Sequence, residues 1–102
     1  MNMGNAIKIC RVRKGWTQEQ LAKKADVSPS YLSLVENNKR DATLSSVKRI
    51  SQRLGVPLSL LMFLAADSTE LQGLPEDLRD RMSTLVLKLL SEDRGPQSPL
   101  LF

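Results

Sequence analysis

The stretch TQEQLAKKADVSPSYLSLVE, residues 17–36, decides how the chain folds. Thr17 with Gln20 three residues on is the pattern of a capping box, in which two side chains satisfy orphan N–H groups of a helix's first turn. Leu21, Ala22 and Ala25 then supply the inner face of that helix. Ser28 is a second N-cap, and Pro29 follows at the first helical position, where its missing N–H costs nothing. Only Asp26 and Val27 separate the two helices, so they cannot lie antiparallel side by side and must cross steeply.

Working outward, residues 4–14 are predicted helical, with Ile7, Cys10 and Arg11 on one side and Gly15 as the terminator. The third helix ends near Glu36 or Asn37, Asn38 suits the left-handed position that follows, and KRDA is a loop. Thr43 caps a fourth helix in which Leu44, Val47, Ile50 and Leu54 recur every three or four residues, and Gly55 stops it. Pro57 opens a fifth helix over about residues 58–65. DSTELQGL, within residues 67–74, reads as a linker by composition. Pro75 opens a sixth helix over residues 75–93, with Glu76 and Asp77 favourably placed against its macrodipole. Its apolar stripe is Leu78, Met82, Leu85 and Leu89, widened by Val86 and Leu90. Residues 94–102 have no period and two prolines, the pattern of a flexible tail. Strand signals are scarce, and the chain reads as all-α.

A chain of 102 residues can bury one modest core. The single cysteine excludes an internal disulfide, and the lack of histidine removes the usual metal ligand and general base. With no nucleophile and base in a supporting pattern, the chain is expected to be no enzyme and to need no metal or cofactor. PLSLLMFLAAD is the longest apolar run, about half of the ~20 residues that span a bilayer. A cytoplasmic protein without a membrane partner is expected. Residues 1–66 hold eleven Lys and Arg against four Asp and Glu, +7, whereas residues 67–102 hold four against seven, −3. A basic body points to an anionic partner, and nucleic acid is the first candidate.

On a wheel of about 100° per residue, Leu32 and Val35 take the core side of the third helix. Pro29, Ser30, Ser33 and Asn37 share a face bordered by Leu34, all short and none charged. Such a face can enter a major groove about 12 Å wide and bring hydroxyl and amide groups to base edges. Lys23 and Lys24 precede it, Lys39 and Arg40 follow it, and Gln18 stands at the start of the helix before. That is the division expected of backbone positioning around base reading.

RVRKGWTQEQLAKKADVSPSYLSLVENNKR, followed by LSSVKRISQRLGVPLSLLM, resembles the Xre-type, phage Cro and repressor-like helix-turn-helix family over residues 7–62. The resemblance implies a five-helix, lambda-repressor-like DNA-binding domain over residues 1–66, with an added C-terminal amphipathic helix. It also implies that Gln18, Ser28, Pro29, Ser30, Ser33 and Leu34 face bases or the groove edge, and that Tyr31, Asn37, Lys39 and Arg40 touch phosphates. Arg11 and Glu36 occupy the positions of a partly buried ion pair joining helices one and three. Two departures concern the backbone: Asn38 stands where the family usually has glycine, and Ala42 where it often has proline. A third concerns reading, because Pro29, Ser30, Ser33 and Leu34 lack the Gln, Arg or Lys that make bidentate base contacts. Selectivity is therefore expected from Leu34 on a thymine methyl and from DNA shape.

Cys10 reads as a small buried hydrophobe and Trp16 as a cover on one end of the core. Tyr31 either covers the core or reaches a phosphate. Lys8, Arg13 and Lys14 form a solvated face or a DNA contact. Leu60, Phe63 and Leu64 look surplus to the fifth helix's core face. Either the sixth helix folds back on the fifth or these surfaces meet their copies in a two-fold homodimer, and the two are compatible. The expected function is a dimeric repressor of transcription that binds double-stranded DNA at an inverted repeat. The alternative is a protein-interaction adaptor or antitoxin-like module on the same fold, with a protein partner at the C-terminal helix.

Overall fold

The structure, a computed structural model, describes residues 1–92. Seven helices follow one another in the described residues: α1 (Met3–Lys14), α2 (Gln18–Lys24), α3 (Pro29–Glu36), α4 (Leu44–Leu54), α5 (Leu58–Ala65), α6 (Ser68–Leu71) and α7 (Glu76–Glu92). No strand occurs among them, so the fold is all-α as expected. None of these helices is long and apolar enough to cross a membrane.

Local chemistry sets the boundaries. The Thr17 hydroxyl accepts from the Gln20 N–H at 3.1 Å while the Gln20 carbonyl oxygen accepts from the Thr17 N–H at 2.8 Å, completing the capping box of α2. Ser28 caps α3 by accepting from the Tyr31 N–H at 3.0 Å, and Thr43 caps α4 by accepting from Ser46 at 3.2 Å. Gly15 and Gly55 adopt the left-handed conformation with φ of 76° and 71° and end α1 and α4. Asn38 takes the same region with φ 58°. Asp26 joins it at φ 56°, inside the tight α2–α3 turn, where the Val27 N–H bonds back to Ala22 O at 3.0 Å. Aspartate tolerates that region better than most residues, so the turn closes without a glycine.

Ile7, Leu21, Leu32, Val35, Ile50, Leu54 and Leu61 are the largest fully buried side chains, one or more from each of α1 to α5. Burying each contributes about 1.5–3 kcal/mol relative to exposure. Cys10 belongs to this core, and Trp16 packs half-buried against it. α1 crosses α3, α4 and α5, and α2 lies against α3 and α4. Gly4 makes the first crossing possible: a Cβ placed there would collide with the carbonyl oxygen of Val35.

The C-terminal part differs from the sequence expectation in two respects. The stretch 67–74, expected as a linker, contains α6, whose Asp67 accepts from the Glu70 N–H at 2.8 Å and donates its own N–H to Glu70 at 2.9 Å. This D-x-x-E capping box is a helix-start signal within a stretch whose polar composition suits a linker. Leu60, expected as surplus, is buried with 7% of its surface exposed, and Phe63 and Leu64 are half-buried. The cover comes partly from α7, which packs on α5 and sets Met82 and Val86 against the core. The expected tail, residues 94–102, and the last residue of the expected sixth helix, 93, lie outside the described residues.

Candidate nucleic-acid interface

Three helices meet at one carboxylate. Glu36, buried at the end of α3, accepts from Arg11 Nε at 2.8 Å and from Arg11 Nη2 at 3.0 Å, a bidentate pair from α1. Gln18 Nε2, from the first residue of α2, donates to the same Glu36 Oε1 at 3.0 Å. Arg11 Nη1 completes the cluster by donating to Trp16 O at 2.7 Å. Burial of such a pair gains little net energy, because desolvation offsets attraction, but it fixes the mutual orientation of the elements that carry it. A carboxylate only accepts, so the Gln18 amide must aim its nitrogen at Glu36 and leave its oxygen free.

A second brace was not legible in the sequence. Arg49 Nε donates to Ala25 O at 3.0 Å and Arg53 Nε to Lys24 O at 2.8 Å, so two arginines one turn apart on α4 hold the last carbonyls of α2. Cationic side chains at a helix C-terminus complement its dipole and satisfy orphan acceptors. Their i, i+4 spacing was the available signal, but the partner carbonyls emerge only from the tertiary fold.

On α3 and at its two caps, Ser28, Pro29, Ser30, Leu34 and Asn37 are exposed and Ser33 is half-buried. Leu34 has 42% of its surface exposed, next to the buried Val35. Asn37 folds back to donate from Nδ2 to Ser33 O at 2.9 Å, which leaves its carbonyl oxygen outward. Gln18 is half-buried beside this face, and Lys23, Lys24, Lys39 and Arg40 are exposed around it. Lys24 Nζ lies 4.9 Å and Lys14 Nζ 5.8 Å from the Trp16 ring centroid, so the indole draws two cations together.

Tyr31 serves the scaffold. Its half-buried phenol lies 2.9 Å from Ser46 Oγ and accepts from the Thr43 N–H at 3.0 Å, tying α3 to the N-terminus of α4. Burial pushes its pKa up, but the hydrogen bonds from Ser46 and Thr43 and the nearby Arg40 charge outweigh that and hold it below the usual tyrosine value. The Arg40 guanidinium stands 5.2 Å from the ring centroid, so the tyrosine also steadies a cation of the α3–α4 loop. The ring thus packs against the core while the hydroxyl is engaged within the fold.

The ten expected DNA-contacting residues therefore lie on α3 and its caps, at the start of α2 and in the loop after α3, and the braces above set the angle between the two helices. Residues 7–61 match the family model described as helix-turn-helix. Antitoxin HipB of Escherichia coli strain K12 is 38% identical over 74 residues, covering 71% of this chain and 84% of its own. A hypothetical transcription factor of Neisseria meningitidis serogroup B is 30% identical over 77 residues, covering 76% and 73% respectively. The immunity repressor protein of Bacillus phage phi105 is 36% identical over 62 residues, covering 61% and 43%.

Proposed function

We propose, from the premise that the chain belongs to the helix-turn-helix family matched across its residues 7–61, that it is a sequence-specific repressor of transcription that binds duplex DNA as a homodimer. α3 lies in the major groove with Ser28, Pro29, Ser30, Ser33 and Leu34 toward the bases, and Gln18 meets the groove edge. Asn37, Lys39 and Arg40 bind phosphates, and Tyr31 contributes by holding Arg40. The observation that carries this reading is the cleared face of α3: short and apolar side chains exposed on a helix, cations at both ends, and a buried ion pair fixing its pose. A second copy places two such helices about 34 Å apart, which calls for an inverted repeat. The residues 1–66 form the DNA-binding part, and the C-terminal helix is the dimerisation element.

Selection of bound sequences from random duplex DNA tests the whole reading. An enriched inverted repeat supports it. Enrichment of a single unsymmetrical site defeats the dimer, and no enrichment at low salt defeats DNA reading altogether.

The similarity to a protein named as an antitoxin favours a second reading, in which the same fold also binds a protein whose toxicity it neutralises. Co-expression with a protein that the full chain captures from its own cells decides it. Rescue of growth and a complex of the two chains are expected on that reading, and growth unaffected by either chain removes it.

A further inference from the structure

α7 carries a line of apolar surface that its own chain leaves open. Leu78 and Leu85, two turns and about 10.5 Å apart along the axis, are 40% and 50% exposed. Met82 and Val86 lie to one side of that line on the wheel and are the residues packed toward the core through α5. Asp77, Arg81 and Lys88 lie on the other side, all exposed and all about 60–100° from Leu78. One helix thus presents a covered flank, a bare seam and a charged flank, in that order.

We infer that the Leu78–Leu85 seam pairs antiparallel with the same seam of a second copy, across a two-fold axis near Arg81 and Met82. This rests on the dimeric reading above and specifies its contact. The charges select both the occupant and the direction. A two-fold perpendicular to an antiparallel pair keeps the charged flanks of the two helices on the same side. Parallel pairing, about an axis along the helices, would turn each charged flank toward the partner's Met82–Val86 flank, which α5 already covers. Antiparallel pairing with Leu78 opposite the partner's Leu85 brings Asp77 within about 3 Å, measured along the axis, of the partner's Lys88, twice by symmetry. Arg81 beside its copy is the one unfavourable meeting. Crossed opposite charges fix orientation and exclude the alternative register. α7 packs on α5, so pairing through its outer seam leaves the α3 face open.

The test uses the full chain with one cysteine introduced at a time, Arg81→Cys or Lys88→Cys. The native Cys10 is buried, and the unmodified chain is the control. A disulfide needs Cα atoms within about 7 Å. Residue 81 and its copy meet that in the antiparallel pair at the usual interaxial distance, whereas residue 88 and its copy stand about 20 Å apart. Under a mild oxidant, Arg81→Cys should yield covalent dimer and Lys88→Cys should not. Cross-linking at 88 but not 81, or equally at both, overturns the arrangement. Sedimentation separates this from the parent reading: a dimer without cross-linking at 81 defeats the seam alone, and a monomer at micromolar concentration defeats both. As a second variant, Lys88→Asp should weaken dimerisation by about tenfold, and Asp77→Lys with Lys88→Asp should return it to within about threefold. Failure of that rescue also overturns the pairing.

Discussion

Leu34 sets an apolar side chain on the open face of α3, where an apolar group of a partner can meet it. It lies 42% exposed between the buried Val35 and the serines of α3, and its nearest partner of the right kind in a major groove is a thymine methyl. Covering one methyl group stabilises a complex by about 0.8 kcal/mol, or roughly fourfold in affinity. Replacing the contacted thymine by uracil should therefore weaken the native chain about fourfold and leave Leu34→Ala nearly unchanged, measured by fluorescence anisotropy. Equal losses for both chains would show that Leu34 meets no base. Tyr31 permits a cleaner measurement, because it is the chain's single tyrosine and absorbance near 295 nm titrates it alone. Its lowered pKa means that folding favours the phenolate. The resulting stability is present above the ordinary value of about 10 and absent at neutral pH. The midpoint should fall below 10 in the native chain and rise in Ser46→Ala, since the desolvation that opposes ionisation remains. A midpoint unmoved by that substitution would separate the phenol from Ser46.

Elements were legible where one residue acts on its own backbone and illegible where it acts on another helix. Thr17, Ser28, Thr43, Gly15 and Gly55 announce helix ends because caps are local, and each behaves as its type dictates. Arg49 and Arg53 looked like ordinary surface cations, because the α2 carbonyls they hold are more than twenty residues away in sequence. Tyr31 was ambiguous for the same reason: its partners Thr43 and Ser46 sit on the next helix. On α3, the exposed face followed from the wheel alone, whereas the folded-back Asn37 amide and the Gln18 bond to Glu36 required side-chain geometry. Gly4 gave no sequence signal at all, yet the crossing of α1 over α3 depends on it. Gly4→Ala improves helix propensity by up to about 1 kcal/mol. The collision with Val35 O forces the helices apart and should outweigh that, leaving a net loss of about 1–3 kcal/mol and a melting temperature lower by roughly 5–20 °C. Gly73→Ala is the control, since its added Cβ meets nothing closer than 3.7 Å, and it should shift stability by less than about 0.5 kcal/mol. If both substitutions behave alike in thermal denaturation, the close approach at Gly4 is not what limits the crossing.

At the scale of the whole molecule, charge and reading are carried by different residues and can be separated experimentally. The body of residues 1–66 bears +7 and the remainder −3, and the acidic first turn of α7 belongs to a helix packed on α5. Four exposed cations per chain border α3: Lys23, Lys24, Lys39 and Arg40. If each neutralises one phosphate in a dimeric complex, the log affinity should fall with log salt at a slope of about −7. Removing Lys39 and Arg40 together withdraws four contacts per dimer and should bring the slope to about −3.6. Leu34→Ala removes no charge, so it should lower affinity for the selected site at every salt concentration while keeping the native slope. Titrations of one duplex from low to physiological salt distinguish these outcomes. A slope that changes with Leu34→Ala, or one that ignores the loss of Lys39 and Arg40, would mean that phosphate contacts are made elsewhere and that this face of α3 is not the one against DNA.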